Sequence, residues 1–546
     1  MKKLPLGIQN FKKIIEGDFV YVDKTRHIYN LISDASYYFL SRPRRFGKSL
    51  LLDTIGEVFS GDKELFRGLW IYGSDYGFPK HPVIRLDMSG IANENPETLK
   101  ASIMASLRKR IKEEGLDIAS EIPSDMFKEL IEGLYDKYGQ RVVVLIDEYD
   151  KPIIDHIADI ETAKDNRKAL KGFYGILKSM DPYLRFTFIT GVSKLARASV
   201  FSDLNNLLDI TLTKKYSNIC GVAVEDLDKH FRGHIDYLAA QEGFAQYESI
   251  HDEILAWYDG YSWDGKTRVI NPFSLLSFFS QERFAGFWYA SGTPGFLLEL
   301  IKKNPGAYTN LRNFEITETM LDSVEVEKIT IEPLLFQTGY LTIKEIPPTM
   351  DEPVYVMKIP NNEVGRAFNI HVLSALTEND DVRTGQVRLE VNKALGAGDL
   401  PKMLEVMRGF FASIPYQLQV EVEAYYHSVF YSFMSALGFD LDLEVSVAKG
   451  RVDAILEHGD KAYVMEFKYA RCPQDASEEE KQKLSYAALD EAMKQIEDRG
   501  YSEKYQGSGK AVYQAAFAFL GRGDIEMRVA MGGCLSSSAI IAASTT

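Results

Sequence analysis

Three cysteines in 546 residues, Cys220, Cys472 and Cys534, stand too far apart for a disulfide framework or a thiolate metal cluster. Their scarcity predicts a reducing, cytoplasmic setting. No apolar run is long enough to span a bilayer. The opening Met1-Lys2-Lys3-Leu4-Pro5 lacks the extended apolar region of a signal peptide, so no membrane partner is expected. Basic charge is in deficit, because 63 Lys and Arg against 78 Asp and Glu leave a net charge of −15. A non-specific nucleic-acid binder usually carries a basic footprint. Any such contact is therefore expected on a local basic surface or through a partner. Internal repeats and low-complexity tracts are lacking too. What is there is ordinary globular composition, 45% hydrophobic and 26% charged. The chain is too long for one hydrophobic core and predicts two to four domains.

The first 36 residues read as a polar lead-in with a strand-like piece, Asp18–Asp23, and a helix through Ile28 and Leu31. Tyr37-Tyr38-Phe39-Leu40, Pro82–Asp87, Arg141–Asp147 and Leu184–Thr190 are apolar strand candidates, with helical patterns between them. Continuous β-branched runs separated by helices indicate a parallel sheet covered on both faces. Residues 1–215 thus predict an α/β domain. The pattern turns helical and aromatic from 216 to 310, which predicts a helical lid. A helix at Ile331–Phe336 leads to the segments Gly339–Ile343 and Val354–Lys358, as in a small winged-helix module. Helices fill the rest of 311–435. Residues 436–530 alternate strands (442–447, 451–457, 462–468, 511–520) with a helix at 484–499, and 531–546 reads as a flexible tail.

Between the first strand and the helix after it lies Ser41-Arg42-Pro43-Arg44-Arg45-Phe46-Gly47-Lys48-Ser49. A phosphate loop needs backbone amides closing around phosphates, a lysine for the outer phosphates and a hydroxyl for Mg²⁺. Gly47, Lys48 and Ser49 supply these at a helix N-terminus, where the dipole favours anions. The first glycine of the standard pattern is replaced by Arg42, and a solvated basic loop fits the same residues. Asp147-Glu148 weighs towards nucleotide. It ends the strand Val142–Ile146, expected beside the phosphate-loop strand, where Asp147 would hold Mg²⁺ and Glu148 would polarise the attacking water. Thr190 or Ser193 would sense the γ-phosphate. Arg197 fits either a role in trans or an ordinary surface arginine.

At the other end, Gly450-Arg451-Val452-Asp453 precedes Val464-Met465-Glu466-Phe467-Lys468. Residues i and i+2 of a strand share a face, so Glu466 and Lys468 point together. A hairpin turning at His458-Gly459-Asp460 would bring Asp453 alongside them. Two carboxylates for a hard cation, with a lysine near an attacking water, suit phosphodiester hydrolysis. A hairpin with exposed charges would show the same three residues.

Arg42–Leu50, Leu145–Asp150, Thr190–Ser193 and Phe201–Leu207 together resemble the bacterial AAA-ATPase-like family. Trp257–Tyr261, Asn271–Ser274 and Gln337–Leu341 resemble its recurring segments, and the resemblance covers most of the chain. In that family the Arg-Pro-Arg-Arg-Phe form of the loop is usual. The resemblance implies a C-terminal domain of the PD-(D/E)XK nuclease superfamily, with a restriction-endonuclease-like α/β fold. Asp453, Glu466 and Lys468 stand on its matching positions. Glu423 would match its upstream acidic residue and Gln495 its accessory glutamine. The implied cofactors are ATP and Mg²⁺. The implied partner is nucleic acid, DNA more than RNA, and AAA-type ATPases often assemble as homo-oligomers. Three functions remain open on these residues. One is an ATP-dependent nuclease. Another is a nucleotide-gated switch whose nuclease-like domain binds without cutting. The third is a scaffold with two remnant sites.

Overall fold

The computed structural model describes residues 1–157, 159–194, 197–202, 204–241, 246–288, 315–322, 331–348, 352–377, 381–414, 419, 421–439, 441–447, 450–473, 475–498, 505, 509–521, 524–531 and 539–541. Two compact units emerge. The first contains Met1–Gly292 and Leu311–Val364, and the second contains Gly365–Thr546. No helix among the described residues is long and apolar enough to cross a membrane.

The first unit is built on five parallel strands: β1 (Tyr37–Ser41), β2 (Val83–Asp87), β3 (Val142–Asp147), β4 (Leu184–Gly191) and β5 (Leu208–Asp209). Their order is β2-β3-β4-β1-β5. After β1 the chain crosses to the far edge, steps back through β3 and β4, and then places β5 beyond β1. The strand order therefore reverses around β1, where open parallel sheets place their ligand crevice. The sheet is parallel and buried on both faces, as the β-branched runs predict. One expectation changes: β3 is not the neighbour of β1, because β4 lies between them.

Helix α1 (Lys48–Ser60) follows β1 directly. Helix α2 (Pro96–Glu114) starts on an Asn95 side-chain cap with Pro96 in its first turn and stops at Gly115. Helix α3 is Pro123–Tyr138 and α4 is Ile160–Tyr174. Leu99, Ile103, Leu107 and Ile111 recur at helical spacing and pack with Phe127, Leu130, Ile131 and Leu134 against Val142, Val144 and Ile146. Each such fully buried side chain stabilises by about 1.5–3 kcal/mol. The strand expected at Asp18–Asp23 does not form beyond an isolated bridge between Lys3 and Phe19. Instead Asp23 accepts bonds from the Thr25 amide (2.8 Å) and hydroxyl (2.7 Å), which turns the chain into the helix Thr25–Asp34.

Helices α5 (Val224–Ala239), α6 (Tyr247–Tyr258) and α7 (Pro272–Gln281) build a separate apolar cluster around Leu227, Phe231, Ile254, Tyr258, Leu275 and Phe278. A small antiparallel sheet completes this unit. Strand β6 (Glu315–Thr317), helix α8 (Ile331–Thr338), β7 (Thr342–Glu345) and β8 (Val354–Lys358) form the helix-and-ribbon arrangement, with β8 central and β6 as an added third strand.

In the second unit, helices α9 (Asn362–Thr377, which begins in the first unit), α10 (Asp381–Ala397), α11 (Leu400–Ala412) and α12 (Glu423–Ala436) precede a six-stranded mixed sheet. Its strands are β9 (Leu441–Val447), β10 (Gly450–His458), β11 (Lys461–Ala470), β12 (Ala511–Leu520), β13 (Asp524–Met531) and β14 (Ala539–Ile541), paired in chain order. Only β11 and β12 run parallel, and α13 (Glu478–Asp498) crosses between them. Ala488, Leu489, Ala492 and Ile496 of α13 pack on Val464, Ala516 and Ala518. The opposite face meets α12, where Phe430 lies against Phe467 and Phe517. Helix α13 begins six residues earlier than the reading at 484. Ser477 and Glu480 form a capping box there, with the Ser477 amide donating to the Glu480 carboxylate at 2.9 Å and the Glu480 amide to Ser477 Oγ at 3.3 Å. Of the tail, Ala539–Ile541 pairs with β13, and 532–538 and 542–546 lie outside the described residues.

Candidate functional site

The phosphate-loop residues converge at the C-terminal ends of β1, β3 and β4. Gly47 has φ +89°, a left-handed conformation open to glycine, and hands the chain into α1. Lys48 is buried, and its ammonium donates to the Arg42 and Pro43 carbonyls at 2.9 and 3.0 Å. Ser49 Oγ donates to Asp147 Oδ2 at 2.5 Å, and Thr190 Oγ1 donates to the other oxygen of the same carboxylate. The interposed β4 is what brings Thr190 to Asp147. A hydroxyl and a carboxylate side by side form a hard oxygen pair. That suits Mg²⁺, which is commonly bound through one or two carboxylates while keeping several waters.

Glu148 sits at φ +52°, a conformation rare for a side chain of its size. Burial pushes its carboxyl above the ordinary range. Lys48 and Arg44 pull it back, while Asp147 and Asp150 push it further up. Asp150, for which the sequence suggested no role, is fully buried. It accepts bonds from the Val192 amide (3.2 Å), the Ser193 amide (2.7 Å) and Ser193 Oγ (2.8 Å). Ser193 thus clamps the loop after β4, and Thr190 is the hydroxyl turned towards Asp147. Arg197 is engaged within its own unit, 3.4 Å from Asp209 and over the Phe39 ring at 5.5 Å.

Arg42 does not enter the phosphate cradle. Its guanidinium is buried and donates to the Ser41, Thr211 and Tyr216 carbonyls at 2.9, 2.9 and 3.2 Å, and it stacks over Trp263 at 4.0 Å. Burial lowers its pKa to about 10. The aromatic segments of the first unit surround the loop from outside. Phe46 meets Tyr261 and Trp263 edge-on at 4.7 and 5.4 Å, and Arg45 lies over Phe273 at 4.2 Å. Gly339, at φ +95°, abuts Pro43 so closely that a Cβ built on it would stand 2.8 Å from Pro43 Cβ. Gln337 accepts the Lys194 amide at 3.0 Å and so ties α8 to the loop after β4.

In the second unit, β10 and β11 form the hairpin that the sequence suggests. The register runs from His458–Lys461 to Ala454–Met465, and the next positions along it are Asp453 and Glu466. The two carboxylates are interlocked. Asp453 Oδ2 accepts the Phe467 amide at 2.9 Å, and Glu466 Oε2 accepts the Asp453 amide at 3.3 Å. Both residues thus lie on the α13 side of the sheet, where Glu466 is buried. Lys468 stands two residues further along. Its ammonium is 3.9 Å from Glu423 Oε1, and Glu423 Oε2 accepts the Tyr469 amide at 3.3 Å. Glu423 therefore joins the group from the first turn of α12.

Gln495 lies on α13, which crosses from β11 to β12, and no hydrogen bond among the described residues ties it to this group. Among the described residues no group of three or more His, Cys, Asp or Glu side chains is arranged to hold a metal ion. The donor set here is two carboxylates, the ligand type that a hard cation takes.

Residues 5–201 match the family described as a predicted AAA-ATPase, and residues 421–527 match the PD-(D/E)XK nuclease superfamily. A protein of Azotobacter chroococcum mcd 1, described as an uncharacterized protein in the vnfD 5′ region, is 38% identical over 529 residues, spanning 95% of this chain and 96% of that one. The chain belongs to the AAA-ATPase-like family. Its members' phosphate-loop domain occupies the first unit here, and the PD-(D/E)XK nuclease superfamily domain lies in the second. Among solved structures, the Aeropyrum pernix ORC2 protein in its ADPNP-ADP complexes is similar at 11% identity with a TM-score of 0.25, over 66% of this chain and 98% of that one.

Proposed function

We propose that this AAA-ATPase-like chain binds and hydrolyses ATP and that its PD-(D/E)XK domain cleaves nucleic acid, DNA rather than RNA, in a nucleotide-dependent manner. The observation that carries the first half is the Ser49–Asp147–Thr190 hydroxyl–carboxylate–hydroxyl group at the mouth of the phosphate loop. Gly47 and the amides after it would cradle the phosphates, and Lys48 would leave its loop carbonyls for the outer phosphates. Glu148 would orient the attacking water and accept its proton. In the second domain Asp453 and Glu466 would share a cation, and Lys468, steadied by Glu423, would orient the water. Mg²⁺ at either site would supply charge neutralisation on phosphate oxygens and, at the second, activation of water.

A second reading keeps the nucleotide site and makes the nuclease-like domain a binding module. The net charge of −15 favours it, because holding a scissile phosphate in place for cutting needs local positive charge at the cation site. Incubating the purified chain with Mg²⁺ or Mn²⁺ and labelled single- or double-stranded DNA, with and without ATP, separates the two. Cleavage that is ATP-responsive and lost in Glu466→Ala is the expected result. Nucleotide binding without cutting leaves the binding module. Unchanged nucleotide affinity in Lys48→Ala overturns the phosphate-loop assignment.

A further inference from the structure

A cleft of about 960 Å³ opens in the first unit, away from the phosphate loop. The last turns of α1 and α2 and the chain entering β2, from Lys80 to Val83, line it. The nucleotide residues lie at the other end of the same sheet, where Asp87 is the β2 residue beside Asp147. Four residues of strand, roughly 13 Å, separate Val83 from Asp87. β2 is an edge of the sheet, so among the described residues no further strand pairs with it on the outer side.

The acidic groups of the cleft are already matched. Glu57 pairs with Arg85 at 3.0 Å, and Arg85 also holds Asp53. Glu114 takes Arg110 at 2.7 Å, Lys137 at 2.9 Å and the Tyr138 hydroxyl at 2.8 Å. Arg110 stands 3.7 Å from Glu113 as well, and it donates to the Val83 carbonyl at 3.3 Å. Lys80 and Lys109 also line the cleft. Both are exposed, and their side chains make no hydrogen bond, ion pair or ring contact among the described residues. The uncommitted charges of the cleft are therefore positive. Tyr138 lines the same cleft, 43% exposed, with Lys137 over its ring at 5.1 Å.

We infer that this cleft binds single-stranded DNA, with backbone phosphates on Lys80 and Lys109 and an unpaired base on the Tyr138 ring. An ammonium on a long stem reaches a phosphate oxygen without demanding one fixed geometry. A base can stack on a protein ring only when it is free of a duplex, so the ring favours an unpaired strand. A cationic groove with an exposed aromatic ring takes up such a strand without reading its sequence. The inference reaches beyond the proposed cleavage by naming where a strand is held, and it requires turnover at neither site. It also gives a chain of net charge −15 the local positive surface that a polyanion needs.

The test is fluorescence anisotropy of a labelled oligothymidylate with the full-length chain in EDTA, so that no strand is cut. The wild-type chain should bind. The double variant Lys80→Ala/Lys109→Ala should bind about tenfold more weakly and flatten the slope of log affinity against log salt by about 1.4, or about 0.7 for each of two phosphates. Tyr138→Ala should lose at least about fivefold with the slope unchanged, whereas Tyr138→Phe, which keeps the ring, should bind like wild type. Unchanged thermal unfolding shows that each variant is folded. A wild-type chain that does not bind the strand overturns the inference. So does a double-lysine variant with wild-type affinity and slope, or a Tyr138→Ala variant with wild-type affinity. A duplex that binds as tightly as the strand, or thymidine monophosphate that displaces it at equal phosphate concentration, would reassign the cleft to phosphate alone and overturn the single-strand reading. Failure of the nuclease or nucleotide readings would appear elsewhere, in Glu466→Ala cleavage and Lys48→Ala nucleotide affinity, without moving these curves.

Discussion

Glu363 shows how far a single buried group can set the pH response of this chain. Its carboxyl is 1% exposed and accepts the Trp288 amide at 2.8 Å. Burial pushes its pKa from 4.5 to about 7, with only neutral hydrogen bonds from Trp288, Ser274 and Phe287 working the other way. The folded form therefore holds the proton more tightly than the unfolded form. The stability this adds is fully present below pH 4.5 and is lost as pH rises through 7, about 3 kcal/mol in all. Glu363→Gln keeps an acceptor for Trp288 and has no charge to bury. Denaturant unfolding followed by tryptophan fluorescence should show the variant gaining on wild type from pH 5 to pH 8, with equal stability at the acid end. Parallel profiles would mean that Glu363 is not the titrating group. Nothing in the residues around 363 announces this carboxyl, because its burial depends on Trp288 and Ser274, which lie far away in sequence. Arg42 is similar. The sequence shows a missing glycine, whereas the carbonyls of Thr211 and Tyr216 that explain the replacement become visible only in the fold.

At the scale of elements, legibility followed the reach of the forces involved. The strands β1 to β4 and the β10–β11 hairpin could be read because apolar runs and two-residue alternation are local signals. The insertion of β4 between β1 and β3 could not, since strand order is decided by crossovers that leave no local trace. The early start of α13 is written in Ser477 and Glu480, a capping box that hydrophobic spacing alone does not show. Gln337–Leu341 resembles a recurring segment of the family, and the packing supplies a reason for its residues. Gly339 combines φ +95° with direct contact to Pro43. A side chain there meets both backbone strain of roughly 1–2 kcal/mol and the phosphate loop itself. Gly339→Ala should push Pro43 and the carbonyl that anchors Lys48, and so weaken ATP binding about tenfold in a fluorescent-nucleotide titration. Unaltered affinity in a folded variant would show that α8 and its following turn merely cover the loop.

The whole molecule joins two differently built sheets in a strongly acidic chain, and that charge limits how it can meet DNA. The candidate nuclease group offers few free cations. Lys468 leans on Glu423, Arg528 on Asp490, and the first turn of α13 carries Glu478, Glu479 and Glu480. Each phosphate neutralised by a protein cation releases counterions and contributes about −0.9 to the slope of log affinity against log salt. With a net charge of −15 the contacts must be confined to a small part of the surface. A slope of about −3, corresponding to three or four phosphates, is therefore expected for duplex DNA. Fluorescence anisotropy with catalytically silent Glu466→Ala across a potassium chloride series would measure it. A slope near −10 would require an extended basic track, and would place the main DNA-binding surface outside the group formed by Asp453, Glu466, Lys468 and Glu423.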